Sequence, residues 1–335
     1  MKKALFVGWG GTVRNVYGSD TVAKMKELLE FGTDHVIAEK EFDEYRKELG
    51  EAEYIFSTWG MPALTAEQIK EYLPKLRAVF YAAGTVQKFA RPFLELGIEV
   101  HSAWAANAVP VAEYTFAQIV LASKGYFQRL HRQSLGPAWP HRDVPVEFTG
   151  NYDLNVGIIG AGMIGKLVIE RLKTLDRCRV LVFDPFLPDE TAEKLGVEKT
   201  DLETVFAECA IISNHLADNE QTRGMLCYRH FSLMKPGSVF INTGRGAQVV
   251  EEDLIKALEE DPTRAALLDV TMPEPPEPDS KLYTLDNVFL TPHIAGSLGY
   301  EVHRMAEYMY EECRLLESGQ PTRYSVSLKM LETMA

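Results

Sequence analysis

The chain has 335 residues, 46% of them hydrophobic and 25% charged, the balance of a soluble globular protein with room for two domains. A formal net charge of −13 argues against nucleic acid as a partner, because phosphate binding needs a basic face. No apolar run approaches a membrane span or the core of a signal peptide, so no membrane partner is expected. Cys178, Cys209, Cys227 and Cys313 are scattered without C-x-x-C spacing, which suits reduced thiols in a cytoplasm and no metal site.

In chain order, residues 4–7 read as a first strand and Gly8-Trp9-Gly10-Gly11-Thr12 as a loop leaving it. That loop lacks a third glycine and an acidic partner, so it is a plain turn. A helical pattern follows over about residues 21–31. Apolar runs at 54–56, 78–81 and 98–100 read as strands, with helices near 66–72 and 89–96 between them. Strands alternating with helices imply a parallel α/β sheet. Residues 107 to about 133 form a long helix candidate. Ala112, Phe116, Ile119, Val120, Phe127 and Leu130 recur there at helical spacing, and Pro110 suits a first turn. A loop rich in Pro, Gly and Trp then covers 136–149.

The rest of the chain is organised around the next stretch. An apolar run at 156–159 enters Gly160-Ala161-Gly162-Met163-Ile164-Gly165 and then an amphipathic helix to about Leu172. In a G-x-G-x-x-G turn the first glycine permits the tight bend, the second lets backbone approach a pyrophosphate, and the third lets helix and strand pack closely. A second strand, 179–183, ends at Asp184, where a carboxylate would hold a ribose hydroxyl and repel a 2′-phosphate. The stretch therefore reads as a dinucleotide site with a preference for NAD. Further strand candidates at 210–213, 238–242, 265–268 and 288–290 bring the count in this sheet to six. A final helix spans 297 to about 316, with Val302, Met305, Ala306, Met309, Cys313 and Leu316 on one face; Gly319 and Pro321 close it.

In an open α/β sheet, ligands bind outside the carboxyl ends of the strands. Arg245 follows the fourth strand candidate of the second sheet, Glu274 the fifth and His293 the sixth. Singly, each has a bland explanation: a loop cap, a solvated charge, a satisfied core histidine. Together they are what hydride transfer to a 2-oxo acid requires beside NADH. Arginine offers a planar fork for carboxylate and carbonyl. Histidine can protonate the developing alkoxide near neutral pH, and an adjacent carboxylate favours and orients its protonated form.

On these residues the chain resembles the D-isomer-specific 2-hydroxyacid dehydrogenases. The matching segments are the glycine turn, Thr222-Arg223-Gly224-Met225-Leu226, Met234-Lys235-Pro236-Gly237, and residues 241–246, 269–275 and 291–296. The resemblance implies two doubly wound parallel-sheet domains. A Rossmann NAD-binding domain, 106–299, is inserted into a flavodoxin-like substrate domain made of 1–105 and 300–335, with the active site in the cleft between them. It implies that Arg245 binds substrate, that His293 is the acid/base and that Glu274 is its partner. It places Gly160, Gly162, Met163, Ile164, Gly165, Asp184, Leu216, Thr243, Gly244, Arg245, Asp269, His293 and Gly296 around NAD, Asp269 at the nicotinamide carboxamide. A cytoplasmic homodimer, built through the nucleotide domain and the helix after Asn107, is implied by the same likeness.

One departure concerns the substrate. Where the family commonly has a G-x-G-x-D turn, this chain has Tyr81-Ala82-Ala83-Gly84-Thr85. The backbone N–H groups of Ala83 and Gly84 remain candidates for a substrate carboxylate. Trp59, Tyr81 and Trp104 are aromatic, and no basic cluster for a substrate phosphate stands out in the first domain. Two other classes compete: an NAD-sensing co-repressor or scaffold on the same fold, and a formate- or phosphite-type dehydrogenase. The intact Arg245, Glu274 and His293 disfavour the scaffold. In the formate branch the histidine's partner is a glutamine, which Glu274 is not. The phosphite branch keeps all three residues.

Overall fold

Residues 1–129 and 148–332 are described by the structure, a computed structural model. The expected loop at 136–149 and the end of the expected long helix, from Leu130 onward, lie outside these residues except for Phe148 and Thr149. The chain divides into two compact units, Met1–Asn107 with Ser297–Ala335, and Ala108–Gly296.

The first unit alternates strand and helix: β1 (Lys2–Val7), α1 (Gly10–Leu28), β2 (Leu29–Ile37), α2 (Arg46–Glu51), β3 (Tyr54–Ser57), α3 (Ala66–Tyr72), β4 (Ala78–Tyr81), α4 (Ala90–Glu95) and β5 (Glu99–Ser102). The strands are all parallel, in the order β2-β1-β3-β4-β5, the doubly wound order of flavodoxin-like sheets. Alternate residues of each strand face opposite sides of the sheet. Leu5, Val7, Ile55 and Val79 join one buried cluster with Ile69 and Phe93, while Phe6, Tyr54, Phe56 and Phe80 join the other with Val13, Val16 and Tyr17.

Two expectations change here. The helix placed at 21–31 begins eleven residues earlier, at Gly10, bends at Gly18 (φ +58°) and ends at Leu28. Gly10 and Gly11 carry a poor helix propensity, which burial of Val13, Val16, Tyr17 and Met25 overrides. Leu29–Ile37 is then a strand; Gly32, Thr33 and Asp34 break its apolar run, and its pairing with β1 shifts register between Ala4 and Phe6.

Helix α5 (Trp104–Ala122) leads from the first unit into the second. It starts before Asn107, so Pro110 lies inside it and not in its first turn. It also ends early. Gly125 takes a positive φ of +64°, a Cβ there would run into the Phe148 ring, and the Ser123 carbonyl accepts from Gly150 N–H. Helical backbone resumes at 126–129.

The second unit continues with β6 (Asn155–Ile159), α6 (Met163–Leu172), β7 (Arg179–Phe183), α7 (Asp189–Leu195), β8 (Glu198–Lys199), α8 (Leu202–Glu208), β9 (Ile211–Asn214), α9 (Tyr228–Phe231), β10 (Val239–Asn242), α10 (Glu251–Glu260), β11 (Ala265–Leu268) and β12 (Val288–Leu290). All strands run parallel in the order β12-β11-β10-β9-β6-β7-β8, with β6 between β9 and β7. The sheet therefore has seven strands and not six. The additional one, β8, is two exposed residues long and leaves no apolar trace in the sequence. Counted with it, Arg245, Glu274 and His293 follow the fifth, sixth and seventh strands.

The first unit is completed by α11 (Val302–Glu317), preceded by a 3₁₀ turn at Gly299–Glu301 where the sequence suggested continuous helix from 297. Val302, Met305, Ala306 and Met309 cover the Phe6–Phe80 face of the sheet. Beyond α11 the chain lies antiparallel along β5. Ser102 N–H donates to Tyr324 O at 3.1 Å and Val326 N–H to Val100 O at 2.7 Å, so the sheet edge is paired. Glu312, only 1% exposed, secures that segment by accepting from the N–H groups of Arg323 and Tyr324 and from His101 Nδ1 at 3.0 Å. Burial alone would raise its pKa; His101 and the two N–H groups outweigh that and hold the carboxyl below its ordinary range. Among the described residues no helix is long and apolar enough to cross a membrane, and no group of three potential ligands could hold a metal.

Candidate active site

The glycine turn is shaped by space. Gly160 has φ +90°, a left-handed conformation that side chains rarely adopt, and a Cβ there would press on the His215 backbone. A Cβ on Gly165 would lie 2.1 Å from the Gly160 carbonyl oxygen, so only glycine lets α6 start this close to β6. At Gly162 a Cβ would meet nothing within 4 Å. That open backbone lies ahead of the first-turn N–H groups of Met163 and Ile164, the end of a helix that favours an anion. Met163 is 46% exposed and Ile164 half-buried. Asp184 is half-buried at the end of β7, and its two oxygens accept from Ala161 N–H and Phe186 N–H, each at 2.8 Å. Each oxygen keeps a second lone pair for a ribose hydroxyl. These features suit a dinucleotide.

At the carboxyl ends of β10, β11 and β12 the ionisable residues sit on successive turns. Asn242 organises the first. Its side-chain oxygen accepts from Gly244 N–H at 3.1 Å, and its Nδ2 donates to the Arg245 carbonyl at 3.2 Å. The Arg245 guanidinium donates to the Gly244 carbonyl at 2.8 Å; among the described residues no carboxylate lies in ion-pair range of it. Gly246 packs directly on the Thr271 backbone, where a Cβ would come within 2.0 Å. The arginine turn thus rests on the loop that leads to Glu274. Thr243 is buried and its hydroxyl meets Thr115 Oγ1 at 3.0 Å.

His293 and Glu274 are brought together. His293 Nδ1 lies 2.7 Å from Glu274 Oε1, with both side chains about half exposed, at 47% and 45%. With Glu274 ionised, Nδ1 is the donor and Nε2 faces away from the pair. The backbone of His293 has φ +53°, uncommon for a residue with a side chain. The turn is over-determined by Asp269, which is 2% exposed. Asp269 accepts from Thr291 Oγ1 at 2.6 Å, Ile294 N–H at 2.8 Å and Ala295 N–H at 2.9 Å, while its carbonyl accepts His293 N–H at 3.0 Å. Asp269 and the Thr291 carbonyl thus accept from the N–H groups of all three residues 293–295 and hold the histidine backbone in this strained form. Gly296 closes the segment and the unit.

Several participants carry no mark that the sequence alone reveals. Asn214, Asn242 and Gln248 are buried amides clustered behind the Arg245 turn. Gln248, on the turn beyond β10, leaves no trace, while Asn214 and Asn242 leave only a polar residue at the end of an apolar strand, as in Ile211-Ile212-Ser213-Asn214-His215. His215 shares that position: burial pulls its pKa down to about 3, so it is a neutral acceptor or donor beside Ser213 Oγ at 2.9 Å. Leu216 is held by its backbone, its N–H on Asn214 Oδ1 and its carbonyl on Gln248 Nε2.

In the first unit, Ala83 and Gly84 follow β4. Ala83 N–H is engaged by Tyr81 O at 2.9 Å in a tight turn, which leaves Gly84 N–H as the turn's unpaired donor among the described residues. The two carbonyls accept from Ser102 Oγ, at 2.9 and 2.6 Å. Tyr81 is buried, which pushes its phenol up to about 12.

Residues 117–295 match the profile described as D-isomer specific 2-hydroxyacid dehydrogenase, NAD binding domain. A D-3-phosphoglycerate dehydrogenase of Archaeoglobus fulgidus is 33% identical over 237 residues, 70% of this chain but 44% of that protein. The chain thus spans less than half the length of that relative. A formate dehydrogenase of Chaetomium thermophilum is 33% identical over 273 residues, covering 77% of this chain and 72% of the relative. In structure, a phosphoglycerate oxidoreductase from Rhizobium etli superposes with a TM-score of 0.81 at 23% identity, covering 99% of this chain and 100% of the other. At that identity the likeness is one of fold.

Proposed function

The chain belongs to the D-isomer-specific 2-hydroxyacid dehydrogenase family, and from that premise we propose that it interconverts a D-2-hydroxy acid and its 2-oxo acid with NAD. The observation that carries the reading is the 2.7 Å contact between His293 and Glu274, on a turn whose backbone is tied to Asp269. NADH, when bound, supplies the hydride to the substrate's C2. The Arg245 fork orients the carboxylate and the carbonyl so that C2 faces the nicotinamide. His293 Nε2 hands its proton to the oxygen as negative charge develops there, and takes it back when the hydroxy acid is oxidised. Glu274 keeps Nδ1 protonated and the ring oriented. Asp184 favours NAD over NADP by repelling a 2′-phosphate. Gly84 N–H is offered as a further donor to the substrate carboxylate, and a cytoplasmic homodimer is the proposed working form.

The test is a panel of 2-oxo acids of differing side chain, with NADH and with NADPH, extended to formate and phosphite with NAD⁺. Reduction of at least one acid to its D-hydroxy product, lost in His293→Ala, is expected. A protein that binds NADH tightly and turns over nothing in the panel would be a sensor and not a dehydrogenase.

A further inference from the structure

Gln248 lies on the 3₁₀ turn Gly246–Gln248 and is wholly buried. Its Oε1 accepts from Asn214 Nδ2 at 2.6 Å and from Arg245 N–H at 3.3 Å. Its Nε2 donates to the carbonyls of Leu216 at 2.8 Å and Ala217 at 3.0 Å. Both ends of the amide are saturated. Turning it over would set NH₂ against two donors and oxygen against two carbonyls, so the surroundings permit one orientation. Asn214, also wholly buried, extends the connection: its Nδ2 reaches Asn242 Oδ1 at 3.0 Å and its Oδ1 accepts from Leu216 N–H at 3.3 Å.

We infer that Gln248 and Asn214 are positioning residues that lock the Arg245 turn to the Leu216–Ala217 edge. The inference deepens the proposed dehydrogenase function and rests on it for the roles of Leu216 beside the cofactor and Arg245 at the substrate. The pairing of β9 with β10 stops at Asn214 and Asn242; beyond it Val249 bridges Leu226, and among the described residues no backbone bond joins 243–246 to 215–217. A bridge of neutral amides makes that join, so substrate fork and cofactor edge move as a single piece. Because amides do not titrate, this geometry is the same at any pH at which the protein is folded.

The experiment compares the parent with Gln248→Leu, Asn214→Leu and the double variant. It measures kcat/KM on the best 2-oxo acid against pH, NADH affinity by fluorescence titration, and thermal stability. Each single variant is expected to lower kcat/KM by about tenfold to a hundredfold, the scale of buried polar groups left unpaired. The loss should appear in both the acid's KM and NADH affinity, with the pH limb unmoved. The double variant should lose no more than the worse single one, since one bridge can be broken only once. Multiplying losses would show that the two residues act separately and overturn the inference. So would variants that melt earlier while keeping parental constants in the folded state. Gln248→Met, unbranched and of similar length, replaces Gln248→Leu if the latter fails to fold. If the parent reduces no 2-oxo acid, the functional reading falls and the bridge is judged on NADH titration alone. Weakening in each single variant, and no further in the double, supports it; unchanged affinity overturns it.

Discussion

Each unit buries one carboxylate among backbone N–H groups, and the two are used in opposite ways. Glu312 in the first unit receives Arg323 N–H, Tyr324 N–H and His101 Nδ1, and what it holds is a regular antiparallel edge. Asp269 in the second receives Ile294 N–H, Ala295 N–H and Thr291 Oγ1, and what it holds is a residue at φ +53°. The bonding is nearly the same. A buried carboxylate is tolerated in either place because its lone pairs are filled. The difference is the backbone that results: relaxed strand in one unit, strained turn presenting a reactive side chain in the other. Loss of the first should be read in stability and loss of the second in rate.

The comparison can be broken in four ways. Removing the presented group has the largest effect: His293→Ala should lower kcat by about two to four powers of ten, with NADH binding largely kept. Unchanged turnover would leave the Asp269 turn with nothing to present. Next, Glu312→Ala strips a buried pair of one partner and should destabilise the first unit by about 3–5 kcal/mol in denaturant unfolding. Its kcat, measured on folded protein, should stay within about twofold; a larger drop would show that the edge also shapes the site. Third, Asp269→Ala should cost about 1–3 kcal/mol, felt chiefly in kcat/KM as the histidine turn relaxes. Equal losses in stability and none in rate would make it a second Glu312.

The smallest effect concerns pH. The Glu312 carboxyl is held below its ordinary value, so its contribution is present above about pH 4.3 and disappears as pH falls through the depressed value. Thermal melts below that pH should therefore narrow the gap between parent and Glu312→Gln. In the rate the matching variant is Glu274→Gln, which keeps the shape and removes the charge beside His293 Nδ1; kcat should fall while NADH affinity is kept. Unchanged kcat would remove Glu274 from the proton transfer.

How much of the molecule is legible in its sequence depends on what holds each element in place. The strands β4 and β11 fall where their apolar runs put them, because a strand buried on both faces must be apolar throughout. The residues 8–12 and 29–37 mislead because Gly10, Gly11, Gly32 and Asp34 argue locally for loops, while packing against the sheet decides otherwise. Arg245, Glu274 and His293 are legible as candidates because they follow successive strands at the sheet edge where ligands of open α/β folds bind. The contact between Glu274 and His293 needs the fold. Asn214 and Gln248 carry no such mark: in a sequence a buried amide looks like any surface one, and only its filled hydrogen bonds reveal it.

The first unit is stitched from two stretches of chain. Ser297 N–H donates to the side chain of Asn107 across 190 residues, and His303 reaches the Val16 carbonyl across 287. The second unit needs no such closure. During synthesis the sheet face bearing Phe6, Tyr54, Phe56 and Phe80 therefore leaves the ribosome well before Met305 and Met309 exist to cover it. The intervening residues can meanwhile fold on their own contacts. For that interval an aromatic surface stands open to chaperones or to its own neighbours, and the yield of native protein depends on how quickly the last helix arrives.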